Sequence, residues 1–470
     1  RLLVVVVCAA GALPQCAAEY TSSLVLPYGG ASLAMRLQVA QTWPEVMDIF
    51  AKDERFREQH WGKAPFLARI PLAAGCFSVD DVRAAAGAGE LLAGQNDFLL
   101  KNPDSFVTVK MFSRGSSITA ALLEDGLANG TMVLNSASSR WVQLFDIVRA
   151  GARAVQLPVN INVYITHSPL ERSVPLHTDR QDTIILQCEG RKHWQVHGAL
   201  VVLPAEHQER GKSGDLVTET EAGPRLLEAT LSPGSVLYVP RGFAHRTLRP
   251  PVDETLTPGS TAASDFSTSL TIGLETESMG FTYDKLLLCA LFLHGEGPSV
   301  EEVRELTSVH EMLRRPLPLP GVGLVGGRSA AGSTGTGQAQ ASGDGGSSSA
   351  SSSSSSFPLS EAADELLAEW KVLMPGHNPP PRSCLRRASR IIEQGHKKTV
   401  HEYETRMFDA AVPAKLRQEV WKRRSGAFIY DMLGKCGFLT RCFPQKFWLP
   451  KHTTHQRCWG SEPKSSSRAR

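Results

Sequence analysis

Between Val155 and Ile272 the chain is a series of short β-rich runs cut apart by Gly and Pro, and that punctuation constrains the fold more than any other feature. Val159–Ile165, Thr183–Gln187, His193–Val196, Ser235–Val239 and Ser267–Ile272 read as strands. Gly190, Pro233-Gly234 and Pro240-Arg241-Gly242 read as the turns between them, and Pro251 to Ser264 as an inserted polar loop. Closely spaced short strands with this punctuation predict a sandwich or barrel, here of the jelly-roll kind.

The flanks follow other rules. Residues 40–155 carry mixed signals, while after Phe281 the periodicity turns helical over Tyr283–Leu293, Ser299–Leu313, Ser360–Leu373, Leu385–Gln394 and Val412–Arg423. From Gly321 to Ser356 the composition collapses to Gly, Ser, Ala and Thr and ends in a Ser run. Such a segment has almost nothing to bury and predicts a flexible linker with a span of roughly 30–36 Å. The expected fold class is a mainly β core with helical additions and a C-terminal helical region. In order, we expect a signal peptide over residues 1–18, a mixed region over 40–155 and a β-barrel over 156–280. A helical segment over 281–320, a linker over 321–356 and a basic helical tail over 357–470 follow.

Composition enters through charge. A chain of 470 residues that is 42% hydrophobic and 21% charged is neither wholly disordered, nor a small disulfide scaffold, nor a polytopic membrane protein. Its 50 Lys plus Arg against 47 Asp plus Glu give a net charge of +3, which conceals two oppositely charged parts. Residues 357–470 hold 21 basic and 11 acidic side chains, a balance of +10, whereas residues 1–356 hold 29 and 36, a balance of −7. The basic part is the one expected to seek an acidic or nucleic-acid partner, with Arg382, Arg386, Arg387, Arg390, Lys397, Lys398 and Lys422-Arg-Arg424 as candidate contacts. A solvated helix face is the stronger of the two readings of these residues, since aromatic residues are sparsely interleaved there. Trp421, Phe428 and Tyr430 read as part of a small helical core.

At the other end, Arg1–Leu13 is apolar and Cys16-Ala17-Ala18 is a small-residue run of the kind a signal peptidase accepts. The apolar run is short of the about 20 residues that span a bilayer but fits a secretory h-region, so a secretory or organellar address is expected and no transmembrane span. The nine cysteines include no CxxC pair, so neither a zinc ribbon nor a disulfide framework is legible. Cys436, Cys442 and Cys458 cluster in the tail, where an oxidising lumen would pair two of them and a reducing compartment would leave free thiols.

Chemistry concentrates at His177-Thr178-Asp179 and, 66 positions later, His245. On an extended strand residues i and i+2 face one side, which turns His177 and Asp179 together into a barrel. A distant imidazole then completes two His and one carboxylate on one face of a metal, the set used by non-haem Fe(II) oxygenases. With 14 His and Asp at roughly 5% of positions, about one HxD arises by chance, so the motif alone is weak. His207-Gln-Glu209 and His294-Gly-Glu296 carry the related HxE without strand context. The His177 motif has strands on both sides, and His245 follows a Pro-Arg-Gly turn. Lys192 opens the next strand; it reads either as a solvated edge charge or as the counter-ion of a dicarboxylic acid held in the barrel.

Several spaced segments together resemble a known family. Asn162-Val-Tyr-Ile-Thr166, Leu176-His-Thr-Asp179, Leu186–Trp194, Leu231–His245 and Ser267–Thr271 are similar to the JmjC-type cupin 2-oxoglutarate/Fe(II) oxygenases. Within these the likeness is to the ribosomal-oxygenase branch of bifunctional lysine-specific demethylases and histidyl hydroxylases. Phe56-Arg-Glu-Gln-His-Trp-Gly-Lys-Ala-Pro-Phe-Leu-Ala68 resembles the motif that precedes the barrel in that branch. The likeness covers roughly residues 40 to 315 and implies a double-stranded β-helix. It also implies Fe(2+) on His177, Asp179 and His245, 2-oxoglutarate on Lys192, and Asn162 beside co-substrate and metal. The implied substrate is a protein, ribosomal or histone-like, hydroxylated on histidine or demethylated at lysine. A homodimer and a nuclear or nucleolar address are implied as well, the latter against the N-terminal signal. The chain departs from the branch at Ser269, where a His is frequent, and at Gly273, where a Ser stands on the co-substrate side. Rival readings are a small-molecule cupin dioxygenase or isomerase and a cupin binding module without turnover.

Overall fold

The computed structural model describes residues 32–91, 98–101, 108–111, 116–167, 170, 172–212, 215–251, 265–276, 280–319, 360–403, 405 and 411. The expected signal peptide, the Gly/Ser linker, the helix over Val412–Arg423 and Cys436, Cys442 and Cys458 lie outside the described residues. The N-terminal region comprises α1 (Leu33–Val39), α2 (Trp43–Lys52), α3 (Glu54–Gln59), β1 (Phe66–Arg69) and α4 (Val79–Gly87). It continues with β2 (Phe98–Lys101), β3 (Thr108–Met111), α5 (Ala120–Asn129), β4 (Thr131–Leu134) and α6 (Phe145–Val155). The barrel follows: β5 (Val159–His167), β6 (Arg172–His177), β7 (Asp182–Glu189), β8 (Lys192–Ala199), α7 (Glu219–Ala222), β9 (Arg225–Leu231), β10 (Ser235–Val239), β11 (Phe243–Leu248) and β12 (Phe266–Leu274). Then come α8 (Tyr283–His294), α9 (Val300–Val309), α10 (Glu311–Arg314), α11 (Ser360–Leu373) and α12 (Arg382–Glu402).

Two antiparallel sheets make the jelly roll. One has eight strands in the order β1-β10-β7-β12-β5-β4-β2-β3, the other four in the order β6-β11-β8-β9. The large sheet shows how the two-residue period builds a site. On β5, β7 and β12 the apolar positions Ile161, Val163, Ile165, Ile184, Leu186, Leu270 and Ile272 join one cluster with α2, α6 and α8. The alternate positions Asn162, Tyr164, Thr183, Thr271 and Gly273 therefore turn to the opposite face, where they line a cavity. A second, smaller cluster of Ile185, Trp194, Val196, Leu231, Leu237, Val239 and Phe243 joins the two sheets. The barrel is thus apolar at one end and polar at the other.

The Trp61–Pro65 stretch has a structural task. Phe56 and Trp61 pack on the buried Tyr238 ring of β10, edge-on at 5.0 Å and stacked at 5.6 Å. The Gly62 N–H donates to Tyr238 Oη at 2.9 Å, and that hydroxyl donates to Asp182 at 2.7 Å. β1 begins directly after Pro65 and pairs with β10, covering what would otherwise be a sheet edge.

Helix α12 runs from Arg382 to Glu402, well past the Gln394 end expected from sequence. Gly395 weakens helix propensity, but Ile392, His396, Thr399, Val400 and Tyr403 are buried at helical spacing, and burial outweighs one glycine. Both helices after the linker join the body's own core: Leu366, Trp370, Leu385 and Ile392 belong to the same cluster as the outer face of the barrel. His396 Nε2 lies 2.6 Å from the Gln156 carbonyl, and Tyr283 Oη donates to Glu365 at 2.6 Å. Arg382, Arg386, Arg387, Arg390, Lys397 and Lys398 stay exposed. Residues 357–403 carry a balance of only +1, so +9 of the tail's excess sits in residues 404–470.

Candidate metal centre

His177 is the last residue of β6 and lies directly across from His245 of β11, with ring centroids 4.2 Å apart. Each ring is anchored in the same way. Nδ1 of His177 is 2.9 Å from the Pro175 carbonyl, and Nδ1 of His245 is 3.0 Å from the Phe243 carbonyl. A carbonyl only accepts, so Nδ1 carries the hydrogen in both rings and Nε2 keeps its lone pair for a metal. Burial, then the neighbouring His245, holds His177 down at about 3, so it is neutral across the physiological range.

Asp179 reaches the same point from a loop, because β6 ends at His177 and not beyond the motif as the alternation argument assumed. The loop is held on both sides. Thr178 N–H donates to the Arg210 carbonyl at 3.0 Å and its Oγ1 accepts from Arg210 N–H at 3.0 Å, while the Asp179 carbonyl accepts from Gly242 N–H at 2.7 Å. Asp179 Oδ2 then stands 3.4 Å from His245 Nε2. The ligand atoms of His177, Asp179 and His245 all lie within 4.8 Å of one another, and among the described residues no other such cluster of metal-binding side chains occurs. His207 instead bonds Ser308 at 2.6 Å, and Glu296 is largely exposed, so neither HxE pair builds a site.

Two adjoining cavities meet at this cluster. The inner one is lined by His177, Asp179 and His245 together with Lys192, Trp194, Thr247 and Ser269. Lys192, first in β8, is 3% exposed and its Nζ donates to Thr166 Oγ1 at 3.3 Å. Burial alone pulls its ammonium down to about 7, with no carboxylate contributing. A buried amine that lines the same chamber as the three metal-ligand side chains, with no carboxylate among the described residues shifting it, fits the distal carboxylate of 2-oxoglutarate. The donor set of two neutral imidazoles and one carboxylate fits Fe(II).

The outer cavity, about 240 Å³, is markedly polar and includes Asn135, Asn160, Asn162, Tyr164, Gln181, Gly273 and Glu275. Asn162 lines this cavity, with its Oδ1 accepting from Ser136 N–H at 3.0 Å. Both positions where the chain departs from the branch face these cavities, Ser269 the inner and Gly273 the outer.

Sequence reasoning missed Lys212 and Glu209. Lys212 donates to the second oxygen of Asp179 and, at 3.0 Å, to Glu209. Burial pushes the Asp179 carboxyl up, but Lys212 and then the two imidazoles outweigh it and hold the group well below the usual carboxylate range. The Gln-Glu-Arg-Gly-Lys stretch looks like solvated loop; the one hint was Gly211. Its φ is +79°, and a Cβ there would come within 2.4 Å of the Leu176 carbonyl and 2.7 Å of His177 Cα. Only glycine lets this loop lie against the metal ligands.

With this geometry in view, comparison with known proteins identifies the barrel. Residues 141–264 match the JmjC domain family, and the jelly roll carrying His177, Asp179 and His245 is a JmjC-type cupin domain. The curated relatives to which the chain is similar include ribosomal oxygenases. The chain is 28% identical over 208 residues to ribosomal oxygenase 1 of Gallus gallus, covering 42% of this chain and 32% of that protein. It is 26% identical over 217 residues to the bifunctional lysine-specific demethylase and histidyl-hydroxylase NO66 of Drosophila persimilis, covering 44% and 28%. With ribosomal oxygenase 2 of Bos taurus it shares 37% over 92 residues, 20% of this chain and 18% of the relative. The matches thus span about a third or less of these relatives. Among solved structures, Escherichia coli ycfD aligns with a TM-score of 0.35 at 18% identity, covering 59% of this chain and 68% of that one. The complex of the same protein with cobalt and 2-oxoglutarate aligns at 0.34 and 15%, covering 74% and 70%.

Proposed function

We propose that the chain is an Fe(II)- and 2-oxoglutarate-dependent dioxygenase that hydroxylates a protein side chain, histidine foremost, with demethylation of N-methyl lysine as the other outcome of the same chemistry. The observation that carries this reading is the chamber in which His177, Asp179 and His245 face the buried, uncompensated Lys192. When bound, iron and 2-oxoglutarate together supply the activation of dioxygen and the oxidising power for a C–H bond.

The chain's own residues do the rest. His177 and His245 offer fixed Nε2 lone pairs because their Nδ1–H groups are tied to backbone carbonyls. Asp179 offers an ionised oxygen at neutral pH. Lys192 binds and orients the distal carboxylate with Thr166 beside it. Trp194, stacked over His245 at 5.9 Å, and Ile185 keep water from the inner chamber. In the outer chamber Asn160, Asn162, Gln181 and Tyr164 present the donors and acceptors that an imidazole or a methylated amine needs to be held still.

The names of the relatives support a ribosomal or histone-like protein as substrate. We place recruitment of an acidic or nucleic-acid partner mainly in residues 404–470, where the positive charge accumulates. No helix among the described residues is long and apolar enough to cross a membrane. For the address we favour the secretory pathway from Leu2–Ala18; a nucleolar signal from a C-terminally tagged chain would overturn that choice.

Succinate release on a panel of histidyl and methyl-lysyl peptides tests the activity. Peptide-stimulated release that disappears in His177→Ala and Asp179→Ala is expected. Unchanged turnover in those variants means the site is wrong, and release that no peptide stimulates points to a small-molecule substrate.

A further inference from the structure

Cys76 and Cys188, 112 residues apart in sequence, meet away from the metal centre with their sulfurs 3.2 Å apart. The approach is set by backbone as well as side chains, for the Gly75 N–H donates to the Cys188 carbonyl at 2.8 Å. This hydrogen bond holds the segment after Pro71–Ala73 alongside β7, as a neighbouring strand would lie. Cys188 is 1% exposed, whereas Cys76 is half-buried and reachable from solvent. To bond, the two sulfurs need to close by about 1.1 Å, since a disulfide is about 2.05 Å long.

We infer that Cys76 and Cys188 form an oxidation site: a dithiol that a small-molecule disulfide converts into an intramolecular disulfide, tying the N-terminal region to β7 four residues before Lys192. The Cys76 thiolate attacks the small disulfide, forms a mixed disulfide and expels one thiolate. The Cys188 sulfur, giving up its proton to solvent, then attacks the Cys76 sulfur and expels the second. Two protein thiols are oxidised to one disulfide, and one small disulfide is reduced to two thiols. Burial and the Cys76 neighbour hold the Cys188 thiol well above its usual range, which makes the accessible Cys76 the first to react.

The test treats the full chain with oxidised glutathione, blocks remaining thiols with an alkylating reagent and maps peptides by mass spectrometry without reduction. A peptide linking Cys76 to Cys188 is expected, about 2 Da lighter than the sum of its two reduced parts and released by dithiothreitol. Closing so long a loop should also raise Tm by about 5 °C or more. Cys76→Ser, a change at a half-buried position, should give neither the link nor the oxidant-dependent rise. Cys289 and Cys384 serve as internal references. Both thiols alkylated after oxidant, Cys76 trapped as a mixed disulfide with glutathione, or Cys76 linked to any other cysteine would each overturn the inference.

Discussion

At the scale of single residues the centre depends on charges held where water would not leave them. Lys192 titrates at about 7 in the folded chain and at 10.5 when exposed. Between those values the unfolded state binds a proton that the folded state lacks, so stability rises with pH across that window. Below about pH 7 the full penalty stands, on the order of 4–5 kcal/mol. Thermal unfolding of the ligand-free protein should therefore move upward from pH 7 to 10, and Lys192→Met should flatten the rise. The same variant should weaken 2-oxoglutarate binding by roughly 30- to 100-fold while leaving metal affinity unchanged, which calorimetry can separate. Lys212 acts in the other direction. A cation on Asp179 repels an incoming metal ion, so Lys212→Met is expected to tighten metal binding several-fold; an equal or weaker affinity would show that orienting the carboxylate matters more. His177, Asp179, His245 and Lys192 were singled out by the HxD motif between strands, the Pro-Arg-Gly turn and the family likeness, although Asp179 stands on a loop and the strand bearing His245 was not read. Lys212 and Glu209 were not, since nothing in a polar loop announces that its backbone lies against a buried motif.

At the scale of elements, the strands over Val159–Ile165, Thr183–Gln187, His193–Val196, Ser235–Val239 and Ser267–Ile272 were readable because apolar runs bounded by Gly and Pro have few other uses. β9 escaped notice: Arg225–Leu231 is an edge strand whose inward positions Leu227, Ala229 and Leu231 alternate with Leu226, Glu228 and Thr230, a pattern blurred by the adjacent leucines and the small Ala229. β11 was hidden by the ligand it carries, for Phe-Ala-His-Arg-Thr-Leu buries His245 where an apolar residue is expected. The loop bearing Arg210–Lys212 is the element on which the site depends most. Gly211→Ala should lower stability by about 2–4 kcal/mol and weaken metal binding, because the new Cβ strikes the backbone of Leu176 and His177. Gly223→Ala, at a φ of +70° but with nothing within 4 Å, should cost only about 1 kcal/mol and spare the metal. Equal effects from the two variants would remove Gly211 from the account.

At the scale of the molecule, a Gly/Ser linker suggested a boundary that packing does not respect. Periodicity shows that Ser360–Leu373 is a helix but not which body it joins, and the shared core with the barrel is a tertiary fact. Leu366→Ala, in α11 and 1% exposed, should cost about 2–5 kcal/mol and shift one cooperative transition that includes the barrel. A barrel transition left in place would make α11 and α12 a separate unit. The oxygenase reading itself rests on a single chamber that holds the His177, Asp179 and His245 cluster together with the buried Lys192. Anaerobic calorimetry with Fe(II) followed by 2-oxoglutarate tests it most directly. One metal per chain is expected, then 2-oxoglutarate binding that requires the metal, with the first step lost in His177→Ala and Asp179→Ala and only the second weakened in Lys192→Met. Metal binding that survives loss of His177 and Asp179, or 2-oxoglutarate binding indifferent to Lys192, would contradict it.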